Sequence, residues 1–301
     1  MTASETQAGR APAPGGVHEF RDERLLGATF DHVDLSGSRF DRVDLSRSRF
    51  RSVDLADVDI RNTVLSRVRM RGVDLVDVEV SGEVQNVRVN GVDIGPLVSA
   101  ELDRRHPERA KLHPSDAGGF REAWSVLEHL WSGTVERARR LEAVDPNLLH
   151  ESVDGEWSFT ETLRHLPFAT SSWLSRAILG DPSPWHPLEL PWDEMPETPG
   201  VPRDRTARPT LDEALELRQD RSGRVRSHLA TLTDEQLAGR TAPLVGAGWP
   251  PEGETFAVKE CLEVLLNEEW WHRRFAERDL DALEARLDAS GSTRHTTTKE
   301  A

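Results

Sequence analysis

Two histidines stand out because each follows a glutamate by four residues in a stretch with helical periodicity. The pairs are Glu161–His165 and Glu268–His272. Residues four apart lie on the same face of a helix, so each pair could contact one ion. Neutral imidazole and carboxylate are competent ligands for zinc and similar divalent metals. An exposed pair on a helix surface explains the same spacing without a metal, so the spacing alone leaves both interpretations open.

A few neighbouring residues could complete a site around these pairs. His129, Trp157 and Trp173 could wall a pocket or bind a cofactor, although tryptophans on apolar stripes more commonly pack in a core. Glu269 follows Glu268 directly, and helical geometry turns it about 100° away from that side chain.

The elements that must position these residues are helices. Apolar spacing predicts helices over residues 118–141, 159–179, 210–232 and 256–287, with a short helix from 233. The side chains suited to cap them are Asp116, Ser158 or Thr160, Thr210 with Glu213, and Thr233 with Gln236. Four long amphipathic helices predict a four-helix bundle. The connections 181–209 and 239–255 are long and rich in Pro and Trp, which is typical of functional covers.

Two segments carry a resemblance to a known family: EWSFTETLRHLPFATSSWLSRAILGDPSPWH and VLLNEEWWHRRFAERDLDALEAR. They resemble the DinB-like superfamily, which includes mycothiol-dependent maleylpyruvate isomerase, over roughly residues 117–288. The family fold is an all-α four-helix bundle that holds a divalent metal, usually zinc or nickel. Many members use three histidines, and the isomerase branch uses His, Glu and His. The resemblance therefore implies His165, Glu268 and His272 as metal ligands. Glu161, one turn before His165, is the candidate catalytic carboxylate, which would orient a ligand or a bound water.

Three protein ligands leave a coordination position open, as in catalytic zinc sites. The resemblance then implies a metal-dependent thiol transferase or isomerase that uses a low-molecular-weight thiol, such as mycothiol or bacillithiol, and an electrophilic substrate. The alternative is a non-catalytic binding or stress-response module with a structural or vestigial metal, for which His129 is the candidate fourth ligand. A third hypothesis is hydrolysis with Glu161 or Glu269 as base.

The N-terminal part has a different periodicity. A large apolar residue returns at every fifth position from Phe30 to Val80, and a small or β-branched residue precedes each by two places. A period of five fits neither helix nor strand. The pattern resembles the pentapeptide-repeat family, whose fold is an all-β right-handed quadrilateral β-helix. We expect residues 18–26 and 96–104 to cover its two ends, because open ends leave backbone groups unpaired. A structural or docking role is favoured over imitation of DNA.

Composition completes a multidomain prediction for the 301 residues. It comprises a disordered N-terminus over 1–17, the β-helix over 18–95, a capping or linking segment over 96–116, the bundle over 117–288 and a disordered tail over 289–301. The net charge of −15 disfavours nucleic-acid binding, and no segment resembles a signal peptide or membrane span. The single cysteine, Cys261, is predicted to be a buried structural thiol in a cytoplasmic protein. Whether the chain forms a homodimer is left open.

Overall fold

The computed structural model describes residues 19–61, 63–82 and 84–296. The chain divides into two units, Met1–Ser66 and Arg67–Ala301. The predicted disordered segment 1–17 lies outside the described residues. The predicted boundaries between domains stay predictions.

Six α-helices, two short 3₁₀ turns, one π-helical segment and one small hairpin make up the regular structure of the described residues. The strands β1 (Arg88–Val89) and β2 (Val92–Asp93) pair antiparallel. They are joined by Asn90 and Gly91, which both have positive φ, as a tight two-residue hairpin turn requires. The helices are α1 (Gly95–Arg105), α2 (Ala117–Val144), α3 (Phe159–Thr170), α4 (Leu211–Thr231), α5 (Asp234–Leu237) and α6 (Val258–Thr296). Short 3₁₀ turns cover Pro107–Leu112 and Pro146–His150.

The predicted N-caps are confirmed. Asp116 accepts a hydrogen bond from the Gly119 N–H, and complete capping boxes begin α3 at Ser158, α4 at Thr210 and α5 at Thr233. Each box satisfies backbone donors that have no partner inside the helix. The predicted helix ends lie within a few residues of those observed, except that α6 continues to Thr296, into the segment predicted as a disordered tail.

The four long helices form the bundle that the sequence predicts. α2 packs against α4 and α6, and α3 packs against the same two helices. Two apolar clusters fill the interior. One is centred on Phe120, Trp124 and Leu262, and the other on Trp131, Leu163 and Leu280. Burial of these side chains is the main term that holds the helices together.

The third helix changes its winding beyond Thr170. Residues Ser171–Ile178 form a π-helix, in which the Leu179 N–H donates to the carbonyl of Leu174 at 2.9 Å. Pro167 stands inside α3 upstream of this change, and it lacks the N–H that a regular helix needs. Such π-helical turns are rare and often accompany functional sites.

Two buried arginines fasten the long loops that the sequence marks as covers. Arg164 donates to the carbonyls of Leu188, Asp204 and Ala207. Arg176 donates to the carbonyls of Pro182, Val245, Gly246 and Pro250. Both side chains are about 1% exposed. Because each guanidinium carries five donors in a fixed fork, one arginine can satisfy several loop carbonyls at once.

The predicted N-terminal β-helix is wrong. The described residues before Arg88 contain no strand, and the repeated apolar side chains are exposed, from 43% at Leu35 to 76% at Val80. The backbone nevertheless keeps the period of five, since φ is positive at every fifth residue from Asp22 to Asp57 and again from Arg67 to Gly82. Without a β-helix, the segments predicted to cover its two ends have no such role. Residues 96–104 belong to α1 instead.

Local turns account for this period in the described residues of the repeat. The hydrogen bonds described in the repeat join near neighbours, such as the Ser38 N–H to the Leu35 carbonyl and the Ser36 N–H to the Asp34 carboxylate. Asp, Ser and Gly favour such turns. A β-helix also needs hydrogen bonds between successive coils, and a five-residue pattern does not by itself supply them.

None of the helices that the structure describes combines the length and the apolar character that a membrane span requires.

Candidate metal centre

Three side chains from two helices meet at one point. His165 comes from α3, while Glu268 and His272 come from one face of α6, which packs against α3. One ligand atom from each lies within 4.8 Å of the others. His165 Nε2 is 3.3 Å from Glu268 Oε2, and His272 Nε2 is 3.0 Å from the same oxygen. The three residues that the family resemblance implies are therefore neighbours in space.

The orientation of His165 is fixed by the backbone of the loop that covers it. Its Nδ1 lies 2.9 Å from the carbonyl oxygen of Leu190. A carbonyl oxygen can only accept a hydrogen bond, so Nδ1 carries the proton in that contact. The Nε2 lone pair of the neutral ring then faces Glu268. A hydrogen bond of this kind on the far nitrogen is typical of histidines that bind metals.

The charge at Glu268 requires a positive partner. Burial acts to raise the pKa of Glu268, but imidazoles that donate a hydrogen bond to it or carry positive charge outweigh burial and hold the pKa well below its ordinary range. Its Oε2 is buried and has no hydrogen-bond partner with acceptable geometry among the described residues, although both imidazoles are close. The His165 lone pair faces this oxygen at 3.3 Å, and the contact is repulsive unless a proton or a metal ion lies between the two atoms.

The donor set fits a divalent metal. Zinc binds imidazole nitrogen and carboxylate oxygen at about 2.0–2.2 Å in tetrahedral geometry, which separates neighbouring ligand atoms by about 3.3 Å. The observed separations of 3.0 and 3.3 Å are close to that value. One carboxylate and two neutral imidazoles also leave part of a dication's charge available to a further ligand.

An aromatic ring covers one side of the cluster. Trp157 lies parallel to the His272 ring at a centroid distance of 5.9 Å, and its centroid is 4.7 Å from that of His165. Its Nε1 donates to Asp193 at 3.3 Å, and Asp193 pairs with Arg205. Trp157 is the predicted pocket residue that the structure brings to the cluster.

Access comes from the side of α6. The exposed fraction of the side chain is 8% for His165, 20% for His272 and 32% for Glu268. A small molecule therefore meets the α6 residues first, while His165 lies at the base of the site.

The two other glutamates considered as bases are engaged elsewhere. Glu161 Oε2 accepts from the backbone N–H and the hydroxyl of Ser158 at 2.9 and 2.8 Å, so it closes the N-terminus of α3. Glu269 is buried and pairs with Arg218 at 2.6 Å, on a different face from Glu268. Neither carboxylate belongs to the cluster of ligand atoms.

The remaining candidates lie away from the cluster. His129 is exposed on α2. Trp173 is half-buried and packs against the bundle core, edge-on to Phe256 with centroids 5.2 Å apart. Cys261 is fully buried, as predicted, and burial raises the pKa of its thiol to about 12. A thiol with that pKa stays protonated and is a poor nucleophile.

Sequence reasoning missed the partner of His165. The Leu190 carbonyl is a backbone group, so no side-chain pattern can reveal it. The adjacent Glu189 offers a weak signal, because it is an acid between two leucines in a proline-rich loop. An acid flanked in this way on both sides can be buried and paired.

Comparison with known proteins finds a family match for the helical part of the chain. The profile of the DinB superfamily matches residues 120–276, just over half of the chain. The match covers all three clustered residues. No curated protein and no solved structure matches the chain. No pentapeptide-repeat profile matches its N-terminal part.

Proposed function

The chain belongs to the DinB superfamily, and from that premise we propose that His165, Glu268 and His272 bind one divalent metal ion, zinc before nickel. One observation carries the proposal: one ligand atom from each of the three side chains lies within 4.8 Å of the others. The Glu268 oxygen among them is buried and has no hydrogen-bond partner among the described residues. Two nitrogens and one oxygen suit zinc and nickel better than magnesium or calcium, which prefer oxygen ligands.

The proposed activity is transfer or isomerisation with a small external thiol. A divalent metal with an open position lowers the pKa of a thiol, so that it is a nucleophile at neutral pH. Trp157 covers one side of the site and restricts water there. The chain's own thiol cannot serve, since Cys261 is buried with a pKa of about 12. The reactive thiol must therefore come from solution.

Two structural features favour this activity over the alternatives. Hydrolysis needs a base beside the metal, and Glu161 and Glu269 are both committed to other partners. A structural metal needs a fourth protein ligand, and the candidate His129 lies apart from the three donors found among the described residues. The non-catalytic binding module therefore has less support.

The test uses the zinc-loaded full chain with mycothiol, bacillithiol and glutathione as thiols and monochlorobimane as the electrophile. We expect one thiol to bind by calorimetry and to react faster than with Glu268→Ala, which removes one donor and leaves Trp157 in place. If none of the three thiols binds or reacts, the thiol chemistry is wrong even when zinc is bound.

A further inference from the structure

We propose that residues 188–190 form a clasp in which the buried side chain of Glu189 positions His165 for metal binding, so that Glu189 is a positioning residue of a site it does not touch. The inference rests on the proposed metal site. Its evidence is a continuous set of contacts that runs from α4 through the clasp to the imidazole.

The backbone of the clasp is fixed to α3 at both ends. Arg164 Nε donates to the Leu188 carbonyl at 2.8 Å, and the Leu190 N–H donates to the Arg164 carbonyl at 3.1 Å. The Leu190 carbonyl then accepts from His165 Nδ1 at 2.9 Å. A shift of the clasp by one residue would move the Leu190 carbonyl away from His165 Nδ1 and remove the acceptor that keeps the proton there. The proton position of His165 thus depends on the register of the loop.

Glu189 holds that register from the opposite side. Its side chain is 0% exposed, and its Oε1 accepts from the Ser171 hydroxyl at 2.7 Å and from Arg221 Nε at 2.9 Å. Ser171 begins the π-helix that follows α3, and Arg221 lies on α4. The carboxylate therefore joins the loop to two elements of the bundle, next to the residue that contacts His165.

The buried ion pair of Glu189 with Arg221 indicates that Glu189 positions the loop rather than stabilises the fold. A buried ion pair contributes little net stability, because both charges lose their hydration. Glu189 Oε2 is moreover buried without a hydrogen-bond partner among the described residues, which adds a further cost. What the pair does supply is a defined geometry, in which Oε1 contacts Ser171 and Arg221 together.

The experiment measures two properties of the full chain. The zinc dissociation constant is measured by chelator competition, and the proton position of His165 is read from imidazole ¹⁵N shifts of the metal-free protein. In the wild type we expect the proton on Nδ1. In Glu189→Ala we expect a mixture of tautomers and about tenfold weaker zinc binding, the scale typical of residues that orient metal ligands. Glu189→Gln, which keeps the shape and can still accept hydrogen bonds, should recover most of the loss.

A matched control separates positioning from general destabilisation. Leu237→Ala removes a buried side chain from α5, and Leu237 makes no contact described with the clasp or the site. It should lower the melting temperature and leave the tautomer and zinc affinity unchanged. If Glu189→Ala does not fold, Glu189→Asp replaces it, with an expected loss of zinc affinity that exceeds twofold but is smaller than that of Glu189→Ala.

The outcomes keep the two proposals apart. An unchanged tautomer and a zinc affinity within twofold of wild type in the folded Glu189 variant overturn the clasp. A wild type that binds no zinc overturns the proposed function, while the tautomer measurement still decides whether Glu189 positions His165.

Discussion

The two Glu–His pairs have the same spacing but different structures. In α6, both Glu268 and His272 face the cluster. In α3, His165 faces it, whereas Glu161 turns back to the Ser158 N–H and hydroxyl. Glu161 is the third residue of its helix, where backbone donors are unpaired, and Glu268 lies more than two turns inside α6. Spacing thus decides the face of the helix, while the nearest unpaired donor decides where the carboxylate goes.

The difference leaves His165 without an acidic partner on its own helix. The Leu190 carbonyl takes that place, and it comes from a loop distant in sequence. The two halves of the site are therefore built differently. One is encoded within two turns of α6, and the other depends on the correct docking of a long loop.

The largest difference between the two pairs is expected when each glutamate is replaced in turn. Glu268→Ala should weaken zinc binding by more than about 100-fold, because it removes a ligand rather than a residue that orients one. Glu161→Ala should leave zinc binding unchanged, since its carboxylate closes a helix end. Chelator competition measures both. Equal losses in the two variants would contradict the distinction drawn between the pairs.

Glu269 provides a control, because it is adjacent to the proposed ligand Glu268 but pairs with Arg218 instead. Arg218→Ala leaves Glu269 buried without its partner and should destabilise the fold by about 3–5 kcal/mol. Zinc affinity of the folded protein should stay the same. Urea unfolding measures the first and chelator competition the second. The double variant Arg218→Met with Glu269→Met should be less destabilised than the single one, and the opposite order would count against the pairing.

The loop side of the site predicts a pH dependence. Burial raises the pKa of Glu189 to about 7, against the opposing effect of Arg221. Since the unfolded pKa is about 4.3, the folded state binds the extra proton between about pH 4.5 and 7. The stability that this proton contributes is complete below about pH 4.5 and lost as the pH rises through 7. Arg221 faces the carboxyl from α4 and also pairs with Asp220, and His186 precedes the carboxyl in the loop.

Glu189→Gln cannot titrate, so it isolates this effect from the other groups. Between pH 4.5 and 7 the free energy of unfolding of the metal-free wild type should fall by about 2–3 kcal/mol relative to that of the variant. Urea unfolding across this range measures the difference. Parallel pH profiles for the two proteins would show that Glu189 ionises normally.

The weakest predicted effect concerns the N-terminal cap of α3, in which Ser158 and Glu161 bond to each other. Ser158→Ala should destabilise the fold by about 1 kcal/mol, because the N–H of Glu161 loses its acceptor. Thr210→Ala removes the equivalent cap of α4 and should have a similar effect. Zinc binding should change in neither variant. A zinc loss confined to Ser158→Ala would indicate that the cap also supports the metal site.

The sequence predicts well what depends on near neighbours. The caps at Asp116, Ser158, Thr210 and Thr233 follow from residues three apart, and the structure confirms them. The four long helices follow from apolar spacing. The grouping of His165 with the α6 pair needed the family resemblance as well, because spacing says nothing of which helices pack together.

The N-terminal repeat shows where this reasoning fails. Its period of five is real in the backbone, from Asp22 to Asp57 and from Arg67 to Gly82. It reflects turns closed by local hydrogen bonds, and the apolar side chains of Phe30 and Phe40 remain 59% and 61% exposed. A repeated local conformation does not fix pairing between distant segments. The Leu190 carbonyl escapes prediction for the same reason, since its partner lies 25 residues away.

The most direct test of the metal site is elemental analysis of tag-free wild type beside His272→Ala. His272 lies partly exposed at the site, so its replacement disturbs the bundle interior little. We predict about one equivalent of zinc or nickel in the wild type and its loss in the variant. A wild type that is metal-free and also fails to take up added zinc or nickel would contradict the account, as would a variant that keeps the full equivalent.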